Sequence, residues 1–183
     1  QNKPMVFDAS NDYVTTSADS TAGNHTYSWW QKSTQNARHS AFSHGGNTKG
    51  NFYPTFGENG KPLLYLASGS GYYQYWEART EPYDGEWHHW VLYLKYTDIA
   101  NSKLYIDANE ITKSSVATGA TPNAYTQGIT IGAESNTGGS LFNGIINEFA
   151  IWDEALTATE VTALYNSGTP LDASADSGNY ASS

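Results

Sequence analysis

Apolar and aromatic residues along this chain fall in short alternating runs separated by turn formers. Met5–Phe7, Tyr13–Thr16, Thr26–Lys32, His39–Ser43, Leu63–Ala67, Tyr72–Arg79, Trp87–Lys95, Lys103–Asp107, Ile129–Gly132 and Ile145–Trp152 each read as a strand. Between them lie turn signals at Gly45-Gly46-Asn47, Glu58-Asn59-Gly60-Lys61-Pro62, Ser68-Gly69-Ser70-Gly71, Asp84-Gly85 and Gly138-Gly139. Strands at this spacing, without helices alternating between them, predict a two-sheet antiparallel sandwich. One helix interrupts the pattern: Thr157 and Glu160 form a capping box, Val161, Leu164 and Tyr165 share a face, and Asn166-Ser167-Gly168 with Pro170 closes it. It is expected to lid one edge or end of the sandwich. The reading is one domain over residues 1–170 and a flexible tail or linker over 171–183, where Ala, Ser, Asp and Gly leave little to bury.

Two segments carry finer information. In "NGIINEFAIWD" the alternation breaks before Phe149 and Ile151 restore it, which predicts a bulge at Asn147-Glu148. In "GEWHHWVLYL" strand geometry sends His88, Trp90, Leu92 and Leu94 to one side and Trp87, His89, Val91 and Tyr93 to the other. The adjacent histidines therefore cannot chelate one ion. His88 is expected to be a hydrogen-bonded core imidazole, and His89 a lone group on the opposite face.

Composition narrows the partners. The chain has 9 Lys and Arg against 18 Asp and Glu, a net charge of −9, which repels nucleic acid and anionic membrane surfaces. No apolar run approaches the ~20 residues of a membrane helix, so membrane insertion is not expected. With no cysteine, disulfides, thiol catalysis and zinc–thiolate sites are excluded. Six Trp and fourteen Tyr are more aromatic surface than one sandwich of this size is expected to bury. "GYYQYWEAR" sets Tyr73, Tyr75 and Glu77 against Tyr72, Gln74 and Trp76, and "YSWWQK" sets Trp29 against Trp30. One face of each pair must lie inside; the other offers the aromatic and amide surface that stacks on sugar rings. The candidate ligand-binding residues are Tyr73, Tyr75, Trp76, Trp30 and His89.

Catalytic patterns are missing. Glycoside hydrolysis needs two facing carboxyl groups, and the one acidic pair of suitable strand period beside a tryptophan is Glu77 and Glu81, the latter placed at a strand end by Pro82. No serine elbow, phosphate loop or dinucleotide fingerprint occurs. The chain is read as not an enzyme.

Four segments in order, "VFDASNDYV" (Val6–Val14), "DGEWHHWVLYL…KLYIDANEI" (Asp84–Ile111), "ITIGAES" (Ile129–Ser135) and "FNGIINEFAIWDEALTATEVTALYNSG" (Phe142–Gly168), resemble the laminin-G-like and pentraxin-like branch of the concanavalin A-like lectin/glucanase superfamily. The resemblance spans Met5 to Pro170 and implies an all-β, two-sheet antiparallel jelly roll with one short C-terminal helix. The family pattern has Gly where Ala9 and Ala108 stand, turns that accept Ala if φ stays negative, and Asp where Asn147 stands. Glucanases of the superfamily carry Glu-x-Asp-x-Glu or Glu-x-Asp-x-x-Glu, and neither occurs. The resemblance also implies calcium as a cofactor, with Glu58 and Asn59 before one strand and Glu134 and Asn136 after another as its ligands. The same residues also read as polar turns without an ion. A second ion place, tying the chain ends together, would be Asp8 and Asp12 near Glu148. The function so implied is a non-catalytic carbohydrate-binding or adhesion module, calcium-assisted, on an extracellular, cell-surface or virion protein, with a glycan or cell-surface polysaccharide as partner. The alternative is a structural or decoration subunit of a phage, filament or large adhesin, its aromatic faces meeting protein partners in an assembly.

Overall fold

A computed structural model describes residues 3–17, 23–44, 51–56, 60–66, 72–119 and 128–171. The turn at Gly45-Gly46-Asn47, the residues Glu58 and Asn59, the Ser68–Gly71 turn and the tail from Asp172 onwards lie outside the described residues. The described strands are β1 (Met5–Asp8), β2 (Val14–Thr15), β3 (His25–Lys32), β4 (Phe42–His44), β5 (Asn51–Phe56), β6 (Lys61–Tyr65), β7 (Tyr72–Trp76), β8 (Trp87–Leu94), β9 (Lys103–Ile106), β10 (Asn109–Glu110), β11 (Lys113–Thr118), β12 (Ile129–Ile131) and β13 (Asn143–Trp152), followed by helix α1 (Ala158–Tyr165). They form two antiparallel sheets, β1-β13-β3-β8-β9-β10 and β11-β7-β6-β5-β4-β12-β2. This is the two-sheet antiparallel sandwich that the alternating pattern predicts, in the jelly-roll form that the family resemblance implies.

β3 and β8 pair along their whole length, His25 opposite Leu94 through Lys32 opposite Trp87. Their inward residues Tyr27, Trp29, Trp90, Leu92 and Leu94 meet Phe42, Phe52, Leu64 and Trp76 of the second sheet in one core. Trp29 and Trp90 stack at 5.9 Å, and Trp29 stands edge-on to Phe42 and Phe52 at 5.5 Å each. Each such ring pair adds roughly 0.5–1.5 kcal/mol to the gain from burial itself. The other side of the same strand pair is closed as well: Val91 and Tyr105 pack against Leu156, Val161 and Leu164 around α1. The helix therefore covers the outer face of the six-stranded sheet rather than an edge or end. Its capping box is formed, with Thr157 Oγ1 accepting from the Glu160 amide and the Glu160 carboxylate accepting from the Thr157 amide at 2.6 Å.

Three strands are absent from the sequence reading. β5 contains Pro54, β10 is two residues long, and β11 is a polar edge strand without alternating burial. The expected strand at His39–Ser43 begins at Phe42, and the one at Tyr72–Arg79 ends at Trp76. The predicted bulge is present: Asn147 faces Trp30 and Ala150 faces Ser28, so two residues of β13 oppose Trp29 alone. The left-handed backbone it requires falls on Glu148, at φ 48°, not on Asn147.

Ala9 and Ala108 depart from expectation. Both adopt positive φ, 61° and 63°, where a glycine would carry no Cβ penalty. Ala108 follows Asp107 (φ 50°) in the two-residue hairpin joining β9 to β10. Two consecutive positive φ values match the twist of paired strands, and Asp accepts them more readily than Ala does. Relief of this strain, less the added chain entropy of glycine, predicts that Ala108→Gly raises stability by about 0.5–1 kcal/mol. Urea denaturation of both proteins checks this; a lower midpoint for the glycine variant would contradict the strained-turn assignment.

Candidate functional site

The packing leaves the outer face of the seven-stranded sheet as the sheet surface without a helix across it among the described residues. On β7 the alternation turns Tyr72, Gln74 and Trp76 inward and Tyr73 and Tyr75 outward. Tyr73 lies opposite Tyr65, and Tyr75 opposite Leu63. Tyr65, Tyr73 and Tyr75 are half-buried, whereas Leu63 is buried among them. The Tyr73 and Tyr75 rings meet edge-on at 5.3 Å. Burial and the neighbouring Tyr73 raise the Tyr75 phenol pKa while Arg38 pulls it down, so Arg38 lies within electrostatic reach of this patch.

The remaining aromatic candidates lie elsewhere. Trp76 is 0% exposed in the core between the sheets, so neither of its ring faces is open to a ligand. Trp30 (2%) and His89 (1%) are on the opposite side of the molecule, with Tyr165 stacked against them at 5.9 and 6.3 Å. His89 Nε2 shares a hydrogen bond of 2.8 Å with the Ser28 hydroxyl. These three are thus structural in this arrangement. The aromatic surplus finds burial because α1 supplies a second apolar interface that a bare sandwich lacks.

Of the implied calcium ligands, Glu134 and Asn136 are described. Glu134 Oε2 accepts from Arg38 Nη2 at 3.1 Å and from the Ser140 hydroxyl at 2.7 Å. The carboxylate fills its loop so closely that a Cβ on Gly139 would meet Oε1 at 2.7 Å. Asn136 is exposed. No group of three or more His, Asp or Glu side chains able to hold a metal occurs among the described residues. The described half of the set therefore fits calcium poorly, since a guanidinium already occupies the carboxylate's charge. The second ion place is not assembled: Asp8 pairs with Asn143, leaving Glu148 five residues, roughly 16 Å, further along β13. Asp8 instead accepts from the Ser10 amide at 2.8 Å.

Glu77 and Glu81 do not face one another from a strand. β7 ends before Glu77, and Glu81 opens a short 3-10 turn (Glu81–Tyr83), where its carboxylate accepts from the Thr80 amide at 3.1 Å. Hydrogen bonding to its own backbone amide, then to that of Thr80, and the Arg79 charge hold the Glu81 pKa below its ordinary value. The pair lacks the facing geometry of an acid and its partner carboxylate, and the Glu81 carboxyl is shifted away from the raised pKa a general acid needs.

His88 is hydrogen-bonded as expected, but at the rim rather than in the core. Its Nδ1 contacts Asp107 Oδ2 at 2.7 Å and its Nε2 contacts Asp84 Oδ1 at 3.1 Å. Asp107 Oδ1 also accepts the His89 amide at 2.9 Å. Burial opposes charge on His88, but both carboxylates favour it, and the pKa lies above its ordinary value. Arg38, Tyr65 and Arg79 were missed by sequence reasoning. Tyr65 was legible from the alternation of Leu63–Ala67, whereas neither arginine stands in a recognisable motif.

The fold and the open tyrosine-bearing face define the class: a lectin-like jelly-roll β-sandwich. A laminin G family model, described as Concanavalin A-like lectin/glucanases superfamily, matches residues 8–162, and the chain belongs to that family. Among solved structures it is similar to the Ruminococcus gnavus IT-sialidase CBM40 bound to alpha2,3 sialyllactose, with 17% identity, TM-score 0.65, and coverage of 90% of this chain and 97% of that one. It is also similar to the heptameric SAP-like pentraxin from Limulus polyphemus (16% identity, TM-score 0.59, 87% and 80% covered). A third is mouse laminin alpha1 chain LG4-5 (14%, TM-score 0.56), where the match covers 82% of this chain and 40% of that one. Comparison with curated protein sequences gives no match.

Two buried histidines generate a pH prediction. Desolvation lowers His39 to about 4 and His89 to about 3. Both are neutral in the fold and titrate near 6.5 when unfolded, so their contribution is intact above pH 6.5 and is lost as pH falls toward the folded values. At pH 5 each costs about 2 kcal/mol. His88, with its raised pKa, acts oppositely: its contribution is present below pH 6.5 and fades as pH rises through the folded value. Thermal melting should therefore fall clearly between pH 7 and pH 5, and less steeply in His39→Asn. A flat wild-type profile would contradict the neutral buried state.

Proposed function

We propose that this chain is a non-catalytic carbohydrate-binding or adhesion module of an extracellular, cell-surface or virion protein, and that it engages glycan through the outer face of the seven-stranded sheet. The observation that carries this reading is the Tyr73–Tyr75 pair, with its rings 5.3 Å apart and half-buried beside Tyr65. Sugar rings present apolar C–H faces to aromatic rings and hydroxyls to phenols, which suits such a patch. The CBM40 domain, bound to sialyllactose in its structure, supports a glycan as partner. A binding domain of botulinum neurotoxin DC, similar in fold and seen with rat synaptotagmin II, lends support to protein partners as well. The separated positions of Glu77 and Glu81 support the non-catalytic part.

Calcium assistance would rest on Glu58, Asn59, Glu134 and Asn136. Arg38, paired with Glu134, competes with an ion there. The module is therefore expected to melt at the same temperature with calcium and with chelator; a rise in melting temperature with calcium restores the ion to the reading.

A glycan array followed by calorimetry tests the face. Tyr73→Ala and Tyr75→Ala should weaken the best glycan at least tenfold while leaving melting temperature nearly unchanged, because both residues lie outside the core. Undiminished binding in both variants would remove the face from the proposal.

A further inference from the structure

The cover over the six-stranded sheet carries a cleft of its own. It measures about 660 Å³ and opens between the end of α1 and the β9–β10 hairpin. That volume lies within the roughly 300–1,000 Å³ of small-ligand sites. Ala108, Ala163 and Leu171 form an apolar wall, and each is half-buried, so part of its surface stays open to a ligand.

The wall includes an aromatic ring supported from within. Tyr165 stacks on Trp30 at 5.9 Å and 16° between planes, and on His89 at 6.3 Å and 19°. Trp30 and His89 are sealed, whereas Tyr165 is half-buried and lines the cleft. Tyr165 is thus the outermost member of a three-ring stack, and its remaining surface faces a visitor. His89 is fixed in turn by the Ser28 hydroxyl, so the platform is preorganised and loses little freedom when a ligand lies on it.

Polar groups stand beside this ring. Past Tyr165 the chain turns through three consecutive left-handed residues, Asn166 (φ 45°), Ser167 (φ 54°) and Gly168 (φ 88°). A Cβ on Gly168 would lie 3.7 Å from the Tyr165 hydroxyl, so the turn runs alongside the phenol end. Asn166 and Ser167 line the cleft and are exposed. Asn166 Nδ2 donates to the Thr169 carbonyl at 3.2 Å, while its Oδ1 and the Ser167 hydroxyl make no hydrogen bond among the described residues. Both groups are therefore within reach of a ligand and available to it.

Charge decides the class of that ligand. Among the described residues none that lines the cleft is charged, in a chain of net charge −9. An anion finds no cation there, and a cation finds no carboxylate. The lining offers one aromatic platform, short aliphatic side chains and groups that exchange hydrogen bonds with hydroxyls. That set complements a pyranose ring with its C–H face and hydroxyl rim.

We propose that this cleft is a second sugar-binding site, in which one uncharged ring lays its C–H face on Tyr165 and bonds its hydroxyls to Asn166 and Ser167. The assignment rests on the carbohydrate-binding reading above, at the opposite side of the molecule from the tyrosine face. Trp30 and His89, expected from the sequence to touch a ligand, instead support the ring that does.

Nuclear magnetic resonance on the full chain tests it. Glucose, galactose, mannose and N-acetylglucosamine are titrated separately, with sialyllactose and acetate as charged controls. At least one neutral sugar should shift the Tyr165 ring, the Ala108 and Ala163 methyls and the Ser167 amide together and saturably. Tyr165→Ala should weaken that response roughly tenfold. Because Tyr165 also seals Trp30 and His89, Ser167→Gly is the second variant: it removes a hydroxyl while relieving a left-handed residue. It should weaken the response about threefold, the worth of one hydrogen bond, without lowering the melting temperature. Neutral-sugar shifts confined to Tyr73 and Tyr75 would overturn the cleft and leave the tyrosine face standing. Shifts confined to the cleft would uphold it and remove the face. No shift at either with any of the sugars would overturn both. A cleft response to acetate and sialyllactose without one to any neutral sugar, or a response undiminished in both variants, would also overturn the inference.

Discussion

Everything in this sandwich is arranged around the need to cover β3 and β8 on both faces. Seven of the eight residues of β3 are buried, on alternating sides of one strand. On one side Trp29 and Trp90 stack and are walled by Phe42, Phe52 and Trp76 of the second sheet. On the other, Trp30, His89 and Val91 are sealed by α1, Leu156 and the Tyr165 ring. At ~25 cal/mol per Å² of apolar surface, these two interfaces dominate the favourable side of folding. The cost is that the six-stranded sheet is spent on stability. The far face of the seven-stranded sheet and the loops at the rim lie outside both interfaces.

The rim is held by side chains that bridge long stretches of chain. Arg38 reaches Glu134, which is joined in turn by Ser140, and the Ser40 amide donates to the Ser140 carbonyl at 2.7 Å. His39, buried between Tyr83 and Phe142, fastens the same segment from inside. His88 ties the turn at Asp84 to the hairpin at Asp107. An internal cation thus meets the Glu134 carboxylate where the family resemblance implies calcium.

Much of this was legible from residues alone. The two sheets, the capped helix, the bulge in β13 and the opposite facing of His88 and His89 follow from period-two alternation and local capping chemistry. The strands that went unseen are those with the least local signal: β11, exposed along most of its length, and β5, interrupted by Pro54. The candidate site was legible in part. Tyr73 and Tyr75 were separated from Trp76 by alternation, but which side was inward depended on the partner sheet. Trp30 and His89 were assigned to a ligand because nothing local announces that a helix far along the chain lies over them.

The sequence by itself determined which side chains share a face, where strands break and where the helix begins, because these depend on backbone geometry within a few residues. Only the tertiary structure decided which face is hidden, that Glu134 meets a guanidinium 96 residues distant, and that Ala9 and Ala108 carry left-handed backbone. Burial is a property of pairs of surfaces, and a turn's φ follows from the strands it must join. Neither is written in the residue that bears it.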